Sequence, residues 1–189
     1  ESTVRCCTQN GVRGGSATVH FPIWHQEIED IIVLKNNKGT EDNRVRKLDY
    51  SIQISKLFYE RFIKDEEITL FSPNNVPGLY EAFGLPEFDE MYEKYERTYR
   101  IPRTKVKAQS LFMDLLKERA ETGRIYIMNI DHCNTHSSFK DKIYMSNLCQ
   151  EITLPTKPIQ HIDDADGEIA LCILSAVNLG LIRDKEDLE

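Results

Sequence analysis

Strand-like and helix-like stretches alternate along this chain, and that order restricts its fold more than any other feature. Residues 17–21 and 68–71 read as short strands, and Asp49-Tyr50-Ser51-Ile52-Gln53-Ile54 alternates apolar and polar side chains at period two. Residues 124–130 are a fourth such run, rich in β-branched and aromatic side chains. Between them, Ile28, Ile31, Ile32 and Lys35 recur at helical spacing across 27–35, and 36–39 ends that helix. Ser55 is placed to cap a helix carrying Leu57, Phe58 and Phe62. Phe88, Met91, Tyr92 and Tyr95 form one helical stripe. Leu111, Phe112, Leu115, Leu116 and Arg119 form another, with Gly123 as its stop. Both stripes read as core packing. Residues 131–146 are polar and irregular, a predicted loop. Residues 168–174 are a continuous apolar run of the kind found in strands buried on both faces. The order predicts an α/β fold.

Composition narrows the function classes. A chain of 189 residues, 40% apolar and 29% charged, is long enough for one globular domain with a real core. No apolar run reaches the length of a membrane span, and no secretory signal opens the chain. A net charge of −7 argues against a general nucleic-acid surface but allows a local pocket for a phosphorylated ligand. The five cysteines (Cys6, Cys7, Cys133, Cys149 and Cys172) are odd in number and irregularly spaced. They predict reduced thiols in a cytoplasmic protein and no structural zinc site. Cys6 and Cys7 are expected to be small buried hydrophobes. The first residue is not Met and neither end has linker composition, so a piece of a larger protein is expected.

Three constellations carry chemistry. Residues 9–16 place Gln9 and Arg13 among Gly11, Gly14 and Gly15, a loop whose backbone can approach a ligand closely. It matches no nucleotide-binding fingerprint, so by itself it reads as an ordinary turn. Asp131-His132-Cys133-Asn134-Thr135-His136 offers metal-capable side chains, but too few converge for a site, and a structural loop is expected. Asn147, Cys149 and Glu151 are spaced by two, which on an extended segment puts amide, thiol and carboxylate on one side. There the thiol can act as radical or nucleophile while the carboxylate handles protons. Cys172, at the end of 167–172, is a second thiol that can supply reducing equivalents.

These segments together resemble the catalytic subunit of class I ribonucleotide reductase. The likeness is carried in family order by 11–15, 33–37, 43–46, 68–73, 76–80, 122–127, 131–137, 146–149 and 167–172. It covers essentially the whole chain and implies part of the ten-stranded α/β barrel shared with glycyl-radical enzymes. By the resemblance, 1–16 form an effector and substrate loop containing Gln9, Arg13, Gly14 and Gly15. Residues 17–130 are barrel strands and helices, 131–160 a loop and finger loop, and 161–189 the first strand of the second half-barrel.

The resemblance also implies roles. Cys149 matches the radical cysteine that removes the 3′ hydrogen of a ribonucleotide. Glu151 matches the base that takes the 3′ hydroxyl proton, and Asn147 the amide that hydrogen-bonds substrate. Cys172 matches one of the two reducing thiols. The chain itself needs no cofactor. The parent enzyme takes ribonucleoside diphosphates as substrates and dNTP or ATP effectors. It pairs with a small radical-generating metal subunit, is re-reduced by thioredoxin or glutaredoxin, and is a homodimer. The family's second redox thiol belongs before Glu1, and its relay tyrosines and shuttle cysteines after Glu189, so the isolated segment is expected not to turn over. Its open sheet edge is expected to be covered by oligomerisation or rearrangement. Three alternatives stay open: a glycyl-radical-type enzyme of the same barrel, a non-catalytic nucleotide-binding module built on Gln9 and Arg13, and a Cys-His hydrolase pairing Cys149 with His132, His136 or His161.

Overall fold

In the computed structural model, which describes residues 1–8 and 10–186, the predicted α/β order is present. The chain divides into two compact units, Glu1–Pro155 and Thr156–Glu189.

In the first unit, strands β1 (Thr18–Pro22), β2 (Asp49–Ile54) and β5 (Ile125–Asn129) form a parallel sheet in the order β1-β2-β5. Strands β3 (Glu67–Phe71) and β4 (Arg103–Lys107) form a separate antiparallel pair. The helices are α1 (Ser2–Cys6), α2 (Ile28–Ile32), α3 (Lys56–Ile63), α4 (Leu79–Ala82), α5 (Phe88–Arg97), α6 (Ala108–Thr122) and α7 (Ile130–Thr135). The antiparallel pair joins the end of β1 through backbone bonds, Phe71 N–H to Trp24 C=O at 2.8 Å and Gln26 N–H to Phe71 C=O at 2.9 Å.

The alternation in β2 explains why the sheet has two different faces. Registered partners share a face, so Val19, Phe21, Tyr50, Ile52, Ile54, Ile125 and Ile127 lie together on one side. Ile52, Ile54 and Ile125 belong to the main core with Ile28, Ile31 and Ile32 of α2 and Leu111 and Leu115 of α6. Burying each such side chain contributes about 1.5–3 kcal/mol. The opposite face carries Thr18, His20, Ser51, Gln53, Tyr126 and Met128. Ser51 and Gln53 are fully buried there although polar.

The aromatic stripes are core, as their spacing predicts. Phe83, Phe88, Tyr92 and Phe71 follow one another at centroid separations of 4.8 to 5.6 Å, and Phe112 packs on Phe58, Tyr59 and Phe62. Gly123 ends α6 in the left-handed conformation, φ +67°, which a residue with a Cβ adopts only with strain. Ser55 starts α3, but its side chain makes no capping bond. Instead Asp131 Oδ2 accepts the Lys56 N–H at 2.5 Å, a cap supplied from far along the chain.

Several expectations are corrected. The helix predicted over 27–35 is only the five residues of α2, after which the chain turns to bring Asn36 against Glu118 at 2.6 Å. Residues 131–135 are helical, not loop. Asn134 holds that short helix by bonding the Ile143 N–H and both the Ile130 and Ile143 carbonyls. Strand β4 was not predicted, because Arg-Thr-Lys-Val-Lys is a polar strand with only Val106 turned to the core. Cys6 and Cys7 are exposed rather than buried.

The second unit departs furthest from expectation. Residues 168–174 form no strand, and Ile169, Leu171, Cys172, Ile173 and Leu174 are exposed. Among its described residues the regular structure is an isolated bridge between Lys157 and Glu168 and a single turn at Leu179–Leu181. A strand buried on both faces needs neighbours on both sides, and a unit of this size has none to give. The five strands do not close into a barrel. Among the described residues no helix is long and apolar enough to cross a membrane.

Candidate functional site

The polar face of the parallel sheet is covered by residues 144–150, which run against the strand direction and are hydrogen-bonded to all three strands. Gln53 Nε2 donates to the Tyr144 carbonyl at 2.5 Å. The Ser146 N–H donates to His20 Nε2 at 3.4 Å. Thr18 Oγ1 donates to the Leu148 carbonyl at 2.6 Å. Ser51 Oγ donates to Gln150 Oε1 at 2.6 Å, and Gln150 Nε2 donates to the Ile127 carbonyl at 2.6 Å. These bonds tie a segment of coil to the sheet, because the polar groups buried on the sheet face find their partners on it.

At its end this segment makes a tight turn around Cys149. The Gln150 N–H bonds the Asn147 carbonyl at 3.2 Å, and Gln150 has φ +65°. The Asn147 N–H bonds the Ile152 carbonyl at 3.2 Å, and Asn147 Oδ1 accepts the Ile152 N–H at 3.1 Å. Ser146 Oγ also donates to the Ile152 carbonyl at 2.6 Å. Asn147, Cys149 and Glu151 therefore sit on a closed turn, not on one side of an extended segment as spacing predicted. The physical reason is the reversal at Gln150, which alternation cannot anticipate. The turn presents Cys149 and Glu151 to solvent, while Asn147 is half-buried and spends its side-chain oxygen closing the loop.

The glycine loop adjoins this turn. Arg13, Gly14 and Gly15 line an open cleft of about 410 Å³ together with Cys7, Thr8, Ser16 and Leu148, the neighbour of Cys149. Gly15 is required by packing: a Cβ there would lie 2.1 Å from the Val4 carbonyl oxygen and 2.3 Å from that of Cys7. Thus Arg13, Gly14 and Gly15 meet the cysteine turn across more than a hundred residues of sequence. Gln9 lies outside the described residues. Cys172 is in the second unit, where it is exposed.

Electrostatics around the turn come from the sheet. Partial burial pushes the Tyr126 phenol up, and Cys149, Asp49 and Glu151 add to that shift while Arg124 opposes it. Burial likewise pushes the His20 imidazole down, toward the neutral form able to accept at Nε2. Its Nδ1 is buried without a partner among the described residues. No histidine hydrogen-bonds Cys149 among the described residues. Among the described residues no group of three His, Cys, Asp or Glu side chains converges as a metal site.

Sequence reasoning missed Thr18, His20, Ser51, Gln53, Tyr126 and Gln150. The polar half of the alternation in β2 was the available signal, since it places Ser51 and Gln53 on one face.

The family model for the ribonucleotide reductase barrel domain matches residues 1–189. This chain belongs to the ribonucleotide reductase barrel-domain family. It is similar to the ribonucleoside-diphosphate reductase subunit alpha of Haemophilus influenzae, 58% identical over 97% of the chain and 25% of the relative. The subunit alpha of Buchnera aphidicola from Schizaphis graminum is 57% identical over the whole chain and 25% of its own length. That of bacteriophage T4 is 45% identical over 93% of the chain and 24% of its own length. The chain thus spans about a quarter of the relatives it matches.

Proposed function

We propose that this chain is the part of a ribonucleoside-diphosphate reductase α subunit that carries the radical cysteine, within a ten-stranded α/β barrel. The observation that carries the reading is the Cys149 turn, pinned to the polar face of a parallel sheet with Glu151 beside it and the Arg13 loop across the same cleft.

In this reading Cys149, as a thiyl radical, takes the 3′ hydrogen atom of a ribonucleoside diphosphate, forming S–H and leaving a C3′ radical. Glu151 accepts the 3′ hydroxyl proton, which makes the 2′ C–O bond easier to break. The 2′ oxygen departs as water with a proton from a thiol. Cys172 and a second thiol supply two electrons and two protons in all and end as a disulfide. Cys149 then returns the hydrogen atom to C3′ and becomes a thiyl radical again, while Glu151 returns its proton to the 3′ oxygen. Asn147, its oxygen occupied in the turn, offers its N–H group to substrate. Arg13, with Gly14, Gly15 and Gln9, reads the base and communicates with a nucleoside triphosphate effector. A metal-bearing small subunit supplies the oxidising equivalent for Cys149. Thioredoxin or glutaredoxin restores the thiols, and a second α subunit completes a cytoplasmic homodimer.

In a full-length α subunit carrying this segment, assayed with its small subunit and a dithiol reductant, Cys149→Ser abolishes conversion of a ribonucleoside diphosphate. Retained turnover refutes the reading. The isolated 189 residues yield no deoxynucleotide under the same conditions.

A further inference from the structure

We propose that Gln150 is a positioning residue that sets where the Cys149 sulfur and the Glu151 carboxylate stand, by locking the turn between them to two strands. This rests on the reading of Cys149 and Glu151 given above and adds a residue to it.

Gln150 lies between the two reacting side chains and has a left-handed backbone, φ +65°. Glutamine gains nothing from that conformation, so the surroundings must hold it there. They do so through the side chain. Its Oε1 accepts from Ser51 on β2, which is wholly buried, and its Nε2 donates to the Ile127 carbonyl on β5. The orientation of the amide is fixed, because turning it over would set Oε1 against the Ile127 carbonyl oxygen, which has no proton to give. One side chain thereby anchors the reversal to two adjacent strands, and the backbone N–H of the same residue closes the turn on Asn147. Neither Cys149 nor Glu151 has a hydrogen bond to the sheet among the described residues. Their placement is inherited from Gln150, with Thr18 holding Leu148 on the other side.

The test uses a full-length α subunit carrying this segment with its small subunit. Gln150→Met keeps length and loses both bonds. Gln150→Glu keeps an acceptor for Ser51 but faces the Ile127 carbonyl with a carboxylate. Ser51→Ala removes one donor with little risk to folding. A displaced thiol lowers the chemical step more than substrate binding, so kcat falls about ten-fold or more in both Gln150 variants with KM nearly unchanged. Ser51→Ala lowers kcat less, and adding it to Gln150→Met costs nothing further, since they share one anchor. In the same full-length α subunit, alkylation of Cys149 by iodoacetamide, followed by peptide mass spectrometry, changes rate in Gln150→Met, because the sulfur no longer stands where the anchor held it. If Gln150→Met leaves kcat and alkylation unchanged while Cys149→Ser abolishes turnover, the positioning role is wrong and the cysteine reading stands. If Cys149→Ser stays active, the cysteine reading fails, and the alkylation rate alone decides whether the anchor exists.

Discussion

Replacing Glu96 by Gln tests whether the network that fixes the helical layer is electrostatic in origin. The Arg61 guanidinium grips both Glu96 oxygens, at 2.7 and 2.6 Å, and Thr69 Oγ1 donates to Oε1 at 2.6 Å. Tyr92 closes the set by bonding both the Thr69 N–H and its carbonyl, while the Arg61 charge stands 5.2 Å from the centre of the Tyr92 ring. The two charged side chains are 12% and 17% exposed. Exposed pairs contribute about 0–1 kcal/mol, and breaking a fully buried one costs about 3–5 kcal/mol. This partly buried, bidentate pair falls between, so Glu96→Gln destabilises by about 2 kcal/mol. With a urea slope of about 2 kcal/mol/M, that moves the unfolding midpoint by about 1 M.

The sign with pH follows from the same contacts. Burial, the largest influence on Glu96, pushes its carboxyl up, but Arg61 and Thr69 outweigh burial and hold it below its usual range. A depressed carboxyl stabilises the fold fully above the unfolded value, about 4.3, and loses that contribution as pH falls through the folded value. Urea midpoints of wild type and Glu96→Gln, measured from pH 7 downward, therefore converge in acid. Equal midpoints at pH 7, or a gap that persists unchanged at the lowest pH where both fold, would refute the argument.

Two other substitutions probe different physics. Burial pulls the Lys142 ammonium down to about 8 against the opposing pull of Glu81 and Glu87, and the folded chain then holds its proton less tightly than the unfolded one, whose value is about 10.4. Stability of wild type relative to Lys142→Met therefore rises as pH climbs from about 8 toward 10.4. A flat difference in urea midpoint over that range argues against a buried cation. Gly15→Ala sets a methyl group against the Val4 and Cys7 carbonyls, and α1, which buries no side chain, yields before the core does. Hydrogen exchange quickens over residues 2–8 and 10–16 while the global unfolding free energy changes by less than about 0.5 kcal/mol. A large global loss would show that α1 is integral to the fold.

Much of the α/β skeleton was legible because it is written in side-chain period. The bounds of β2 coincide with the alternation at 49–54, and the stripes at 88–95 and 111–119 predict α5 and α6. What failed had no local signal. Strand β4 is a polar edge paired with β3, α7 is tied by Asn134 rather than by a stripe, and the α3 cap comes from Asp131 instead of Ser55. The run 168–174 carried a strand's hydrophobicity without the neighbours a buried strand needs.

The chain by itself determined which residue types stand together at the proposed site, because Asn147, Cys149 and Glu151 alternate within five residues of sequence. It also determined the two-faced character of β2, since period two separates Ser51 and Gln53 from Ile52 and Ile54. Only the tertiary structure decided that the trio rides a reversal rather than an extended stretch, and that Gln150, Ser51 and Thr18 hold it. Those bonds join positions 23 to 130 residues apart, and no local pattern encodes which distant donor will meet which acceptor.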